Sequence, residues 1–397
     1  MDIEALRAQT PGIGNALYLN NASCSLMPRP VIEAVADGLA LEAEHGGYRA
    51  VTEQAGKLEG VYRSLARLIN AHPDEIAIMN SHTDAWQAVF YGLAFKPGDR
   101  ILTCRSEYGA NYVAFLQMRK RTGCSIEVVP NDESGATDPR ALEDMIDERV
   151  RLIALNWIPT NGGLINPAAE IGAIARKYAI PYLLDACQAV GQLPVDVAAL
   201  GCDYLSCAGR KWLRGPKGTG FLYVRRERLA EGEPEPAMID DVGAAWVDPE
   251  RYALRPDARR YERHEHAPAL RLGLAAAAEY AMALGLGTIR ERVGALAQRL
   301  RTELAALPGV RVEDLGREQA GLVTLRHERV GAGQITEALG RAGIIAKTVP
   351  QSGALLDSLA RGNGELVRLS PHYFNTEEEL EQALRVIGAV TGSSSGP

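Results

Sequence analysis

Asp185 closes the apolar run PYLLDAC, and Lys211 follows 26 residues later in SCAGRKWLRGPKGTG; no other pair in this sequence is better placed to do chemistry. That interval has room for one helix and one strand, so the second strand end returns beside the first. Open α/β sheets place ligand-binding groups at such ends. A carboxylate and a lysine held there make either a salt bridge or a pyridoxal phosphate site. In the second case the lysine carries the cofactor aldehyde as a Schiff base, and the aspartate keeps the pyridine nitrogen protonated. The spacing alone leaves both readings open, and Asp185 could also cap a helix.

The elements that must position the pair surround it. From about residue 75, short runs of β-forming residues (DEIAIMN, DRILTCR, SIEVVP, RLIALNW, PYLLDAC, CDYLSCAG, GTGFLYVRR) alternate with helix-period segments such as NYVAFLQMRKR and PAAEIGAIARKYA. The alternation predicts βαβ units, hence an α/β fold with a mostly parallel sheet flanked by helices. After the polar stretch RERLAEGEPEPA, one long helical segment over 270–307 leads into RVEDLG, GLVTLRH, QITEALGRAG, ELVRLS and a closing helix EEELEQALRVIGAV, a smaller α/β unit. The expected division is a large cofactor-binding domain over 15–255 and a small C-terminal domain over 256–390, with 1–14 packing on the latter and a flexible tail over 391–397.

Composition narrows the function classes. The chain has 397 residues, is 46% hydrophobic and 23% charged, and carries a net charge of -7, so it reads as globular rather than disordered and offers no basic block for nucleic acid. No apolar stretch has the length of a membrane span, and six scattered cysteines without a CxxC pair fit a reducing, cytoplasmic setting. No metal site is expected. A nucleotide-binding oxidoreductase would share the βαβ units, but no GxGxxG follows a strand.

LLDACQAVG followed by SCAGRKWLRGPKGTGFLYV resembles the cofactor core of the class V aminotransferase family, pyridoxal phosphate enzymes of fold-type I that include cysteine desulfurases, isopenicillin N epimerase-like proteins and C–S lyases. The likeness runs from YLNNASCSLMPRPV to LVRLSPHYFNTEEEL. It implies pyridoxal 5'-phosphate as cofactor, an amino-acid substrate and a homodimer. By the same resemblance Lys211 is the Schiff-base lysine and the catalytic base. Only seven lysines are present, and the other six, among them Lys120 in MRKR and Lys177 in ARKYA, sit in surface-type contexts.

The resemblance further assigns Asp185 to the pyridine nitrogen, Gln188 to the ring hydroxyl and Asn156 to the ring oxygen or substrate. His82 and Thr83, opening a helix in MNSHTDAWQAVF, fall at the phosphate. Asn21 and Ser23 line the substrate side, and Arg368 grips the α-carboxylate, a task that suits a planar guanidinium. Four positions depart from the family. Tyr108, whose ring can still stack on the cofactor, stands where a histidine is usual, Arg210, still able to bind the phosphate, where a histidine precedes the lysine, Ala208 where a serine binds phosphate, and Glu265, between His264 and His266, where a threonine reaches the partner's cofactor.

Desulfurases need a cysteine in a C-terminal loop to accept sulfur. The matching stretch reads AKTVPQSGALLDS, with Gln351, Ser352 and Gly353 there and no cysteine after Cys207. The expected reaction is therefore β-elimination from a cysteine S-conjugate to thiol, pyruvate and ammonia. The alternatives are an aminotransferase, an isopenicillin N epimerase-like enzyme or a decarboxylating oxidative deaminase.

Overall fold

The computed structural model describes residues 1–392. The apolar runs form a seven-stranded sheet in the spatial order Ile76–Met79, Gly220–Val224, Tyr204–Ala208, Tyr182–Asp185, Val150–Asn156, Arg100–Thr103, Ser125–Val128. Gly220–Val224 runs antiparallel to both neighbours, and the other pairings are parallel. Most of these strands are buried on both faces, which is why they read as continuous apolar runs rather than alternating ones. The first strand lies at an edge, and the Ile78 N–H donates to the buried Glu262 carboxylate at 2.9 Å, which occupies one edge donor.

The long helical segment breaks into Pro268–Leu284 and Leu286–Ala305, bent by 81° at Gly285, whose φ of +83° favours glycine. Packing passes residue 255 without interruption. Leu274, Ala277 and Ala281 join the same core as the main sheet, together with Ile289 and Val293, whereas Leu296, Leu300 and Leu304 join the C-terminal core. That second core lies on a four-stranded antiparallel sheet ordered Val310–Val312, Val323–His327, Leu366–Leu369, Lys347–Val349. The N-terminal segment crosses between the two layers: Leu17–Tyr18 pairs with Ile344–Ile345, and Arg29–His45 packs on Pro268–Leu284.

Three features were not anticipated: the helices Arg29–His45 and Ala55–Leu68, and a hairpin of Ala244–Asp248 with Arg251–Leu254. The last helix, Glu377–Gly392, includes Thr391 and Gly392, which had been assigned to the tail; the remainder of that tail lies outside the described residues. No single helix among the described residues is long and apolar enough to cross a membrane.

Candidate active site

The strand ends converge as the spacing required. Asn156, Asp185 and Ser206 sit level across three adjacent strands, and the chain after Ala208 turns to place Lys211 beside them. Asp185 is only 3% exposed. Its Oδ1 accepts the Cys187 N–H at 2.9 Å and its Oδ2 accepts Asn111 Nδ2 at 3.1 Å. His82 Nε2 lies 3.0 Å from Oδ2 but off the line of a hydrogen bond. Burial opposes the charge on Asp185, but His82 and Lys211 outweigh it and hold the carboxyl below its ordinary value.

Behind Asp185 stands a second buried carboxyl. Glu107 accepts from Asn111 Nδ2 at 2.9 Å, Thr103 Oγ1 at 2.8 Å and the Tyr108 N–H at 2.8 Å. Burial, and then the charge of Asp185, push it up to about 7. Two carboxyls joined through one asparagine thus separate in acidity, with Asp185 ionised and Glu107 the one that takes up a proton.

Three contiguous cavities open here, and Tyr108 and Lys211 line all of them. The first, about 230 Å³, is bounded by the start of helix His82–Phe90, including Thr83, and by Arg210, Lys211 and Lys217. Free N–H groups of a helix start and three cations suit a phosphate. Gly220 permits this turn, since a Cβ there would lie 2.8 Å from the Ser81 carbonyl carbon. The second is a narrow slot between His82, Tyr108, Asn156, Asp185, Gln188 and Lys211. The third, about 270 Å³, is lined by Ser23, Thr160, Arg210, Lys347, Gly353 and Arg368.

Arg368 is 3% exposed and has no carboxylate within 4.0 Å among the described residues. It donates to the Thr160 carbonyl at 2.9 Å, to Thr160 Oγ1 at 2.8 Å and to Ser23 Oγ at 2.5 Å, while its Nε has no partner. Burial, and then the charge of Arg210, lower it to about 10. A buried cation left in this state calls for an anion.

The residues expected at the site fall into groups. Lys211, Asp185, His82, Tyr108, Asn156 and Gln188 meet at the slot, Thr83 and Arg210 at the first cavity, and Ser23, Arg210 and Arg368 at the third. The His82 ring points at Asp185 rather than away from it, so its side chain supports the carboxylate. Thr83 is not the helix cap: the Ser81 hydroxyl accepts the Asp84 N–H at 3.0 Å. Gln188 is engaged at both ends, donating to the Ala22 carbonyl at 3.1 Å and accepting from Trp212 Nε1 at 2.8 Å. Asn21 lines none of the three cavities; its amide ties the N-terminal segment to the Ser370 carbonyl at 2.8 Å. Glu265 lines none of them either.

Four contributors escaped the sequence reading. Thr160 orients Arg368, and Cys187, one residue before Gln188, lines the slot. Lys217 and Lys347, placed in surface contexts, border the first and third cavities. Lys217 had a signal, since it sits in the glycine-rich run GPKGTG beside Lys211. His82, Asp185 and Cys187 also bring three potential ligand atoms within 4.8 Å of one another, a set that a metal could use if the slot held nothing else.

The residues fit pyridoxal phosphate. Asp185 offers about four acceptor positions, of which two are used by hydrogen bonds and one faces His82, leaving room for a pyridinium N–H. Lys211 borders the same slot, and the cations at the first cavity, free of carboxylate partners among the described residues, match the phosphate.

Residues 17–383 match the family model described as aminotransferase class-V. A probable cysteine desulfurase of Methanothermobacter thermautotrophicus is 29% identical over 398 residues, covering 99% of each chain. Among solved structures, the cysteine desulfurase of Thermococcus onnurineus superposes with a TM-score of 0.90 at 27% identity over 98% of each chain. The cystine C–S lyase C-DES, in complex with its reaction product cysteine persulfide, superposes with a TM-score of 0.86 at 24% identity over 96% of this chain and 99% of that one, a likeness of fold.

Proposed function

The chain belongs to the class V aminotransferase family of pyridoxal phosphate enzymes, and from that premise we propose that it is a C–S lyase that cleaves a cysteine S-conjugate. The observation that carries the reading is the make-up of the third cavity. It joins Lys211 to the unpaired Arg368 and has no thiol in its lining. Gln351–Ala354, where a sulfur acceptor would stand, packs with the Ser352 carbonyl so close to Gly109 that a Cβ there would lie 2.4 Å from it. Cys24 is absent from the lining, and Cys187 is buried in the slot.

Pyridoxal phosphate, when bound, supplies an electron sink for the carbanion at the substrate α-carbon. Lys211 would hold it, Asp185 would pair with its ring nitrogen, and Thr83, Arg210 and Lys217 would receive its phosphate. Arg368 binds the substrate α-carboxylate as a charge-assisted pair and so fixes the α-carbon next to Lys211. Lys211, its Nζ released when the substrate amine takes its place, would then take the α-proton. The C–S bond then breaks with its electron pair on sulfur, which leaves as thiol after protonation. Water hydrolyses the remaining three-carbon enamine to pyruvate and ammonia, so that substrate plus one water balances thiol, pyruvate and ammonium.

Tyr108 faces the same slot. A phenol, with a reference pKa of about 10, exchanges protons poorly near neutrality. Epimerisation, which needs a donor opposite Lys211, is therefore the weaker reading. The test incubates the holoenzyme with S-alkyl cysteines. Pyruvate and free thiol in equal amounts support the lyase, whereas complete amine transfer to a 2-oxo acid without pyruvate, or a racemised substrate, overturns it.

We infer further that the protein is a homodimer with Trp246, Val247 and Tyr252 of the hairpin at the contact; Trp246 is 81% exposed, an unusual state for a large apolar ring. Six unpaired cysteines support a cytoplasmic setting.

A further inference from the structure

The third cavity holds more positive charge than the proposed reaction uses. Lys211, Arg210, Arg368 and Lys347 line it, and no carboxylate does. None of the four has a carboxylate within 4.0 Å among the described residues. Three of the four have a task within the proposed function. Lys211 attaches the cofactor, Arg368 takes the α-carboxylate, and Arg210 also borders the phosphate cavity, with Nη1 donating to the Ser23 carbonyl. Lys347 has none, and it does not border the phosphate cavity.

Its position is fixed by the sheet. Lys347 and Arg368 are directly opposite partners on adjacent antiparallel strands. Opposed residues share a face with Cβ atoms about 5 Å apart, and like charges so placed destabilise the sheet. The cost is offset when an anion lies between or above them. Arg368 is buried with its Nε unpaired, whereas Lys347 is exposed, so the pair runs from the floor of the cavity to its mouth. Val349 and Gly353 line the same cavity as Arg368 and Lys347.

We infer that the group leaving on sulfur carries a carboxylate of its own, held by Lys347 at the cavity mouth. The inference rests on the lyase reading for the identity of the leaving group, but the charge count stands without it. The substrate class is then a cysteine S-conjugate of a small carboxylic acid, and the released product is a mercapto acid.

The experiment compares S-carboxymethyl-cysteine with its near-isosteric neutral amide, S-carbamoylmethyl-cysteine, on the holoenzyme, following pyruvate. The acid should have the higher kcat/KM, chiefly through KM. Lys347→Met should lower kcat/KM for the acid about fivefold more than for the amide, the scale of a solvent-exposed ion pair, and Lys347→Arg should restore the preference. Equal kcat/KM for acid and amide, or an equal loss on both in Lys347→Met, overturns the inference. If neither compound yields pyruvate, the lyase reading fails, and calorimetry with the unreactive diacid glutarate against butyrate decides the charge question: Lys347→Met must weaken glutarate selectively, and equal weakening sinks it.

Discussion

Arg301 and Arg368 are both buried in the C-terminal half of the molecule, 6% and 3% exposed, in opposite surroundings. Arg301 donates from Nε to Asp314 Oδ2 at 2.7 Å and from Nη2 to the carbonyls of Ala320 and Leu322 at 2.6 and 2.7 Å. Asp314 in turn accepts from Thr324 Oγ1, the Thr324 N–H and the Gly163 N–H. The two charges pair with each other, and the network joins the loop before Asn166 to the C-terminal sheet. Arg368 meets hydroxyls and a carbonyl but no negative charge, and one of its nitrogens has no partner. A buried ion with a complete partner set is structural; one whose charge is left open is built for a ligand.

The comparison can be broken most directly at its catalytic pole. Lys211→Ala should abolish the visible absorption band of the bound cofactor and lower turnover by about 10²–10⁴-fold, with little change in the melting of the ligand-free protein; an unaltered band would remove Lys211 from its role. Next, Arg301→Leu should cost about 3–5 kcal/mol in denaturant unfolding, because Asp314 is left charged and unpaired. Arg368→Leu should change ligand-free stability by no more than about 1 kcal/mol while raising KM for any amino-acid substrate. Equal destabilisation by the two would erase the distinction.

Glu107 tests the same idea through pH. Its carboxyl titrates near 7 in the folded protein against an ordinary value of 4.5, so between those values the native state holds the extra proton. Stability from this group is therefore lost as pH rises from about 4.5 to 7. Glu107→Gln, which keeps the shape and mimics the protonated form, should stabilise the ligand-free protein relative to wild type by on the order of 2 kcal/mol more at pH 8 than at pH 5. A pH-independent difference would place the proton elsewhere. The smallest effect is expected from Tyr108→Phe, which keeps the ring that lines all three cavities and removes only the hydroxyl: within about threefold on turnover, whereas a large loss would make the phenol a proton carrier.

Much of the main sheet was legible because its strands are buried on both faces and connected by amphipathic helices, so each run of RLIALN or YLLD type announced itself. The roles expected of Lys211 and Asp185 came from the resemblance, with the scarcity of lysine narrowing the choice, and the lack of any cysteine after Cys207 is plain in the sequence. The helices Arg29–His45 and Ala55–Leu68, which precede the first strand of the main sheet, were not anticipated, nor was the hairpin around Trp246, whose residues are largely exposed and lack alternation. The resemblance placed Asn21 on the substrate side, yet the chain turns its amide to the Ser370 carbonyl.

The sequence by itself determined the family and the absence of any cysteine after Cys207, because these depend on which residue types occur and in what order. Only the tertiary structure decided which charges are satisfied. Arg301, Arg368 and Lys347 are all basic residues in the sequence, and whether each finds a carboxylate depends on partners brought together from distant parts of the chain. That closure, which pairs Arg301 with Asp314 and leaves Arg368 and Lys347 facing the same cavity, is a property of packing and register that no local pattern encodes.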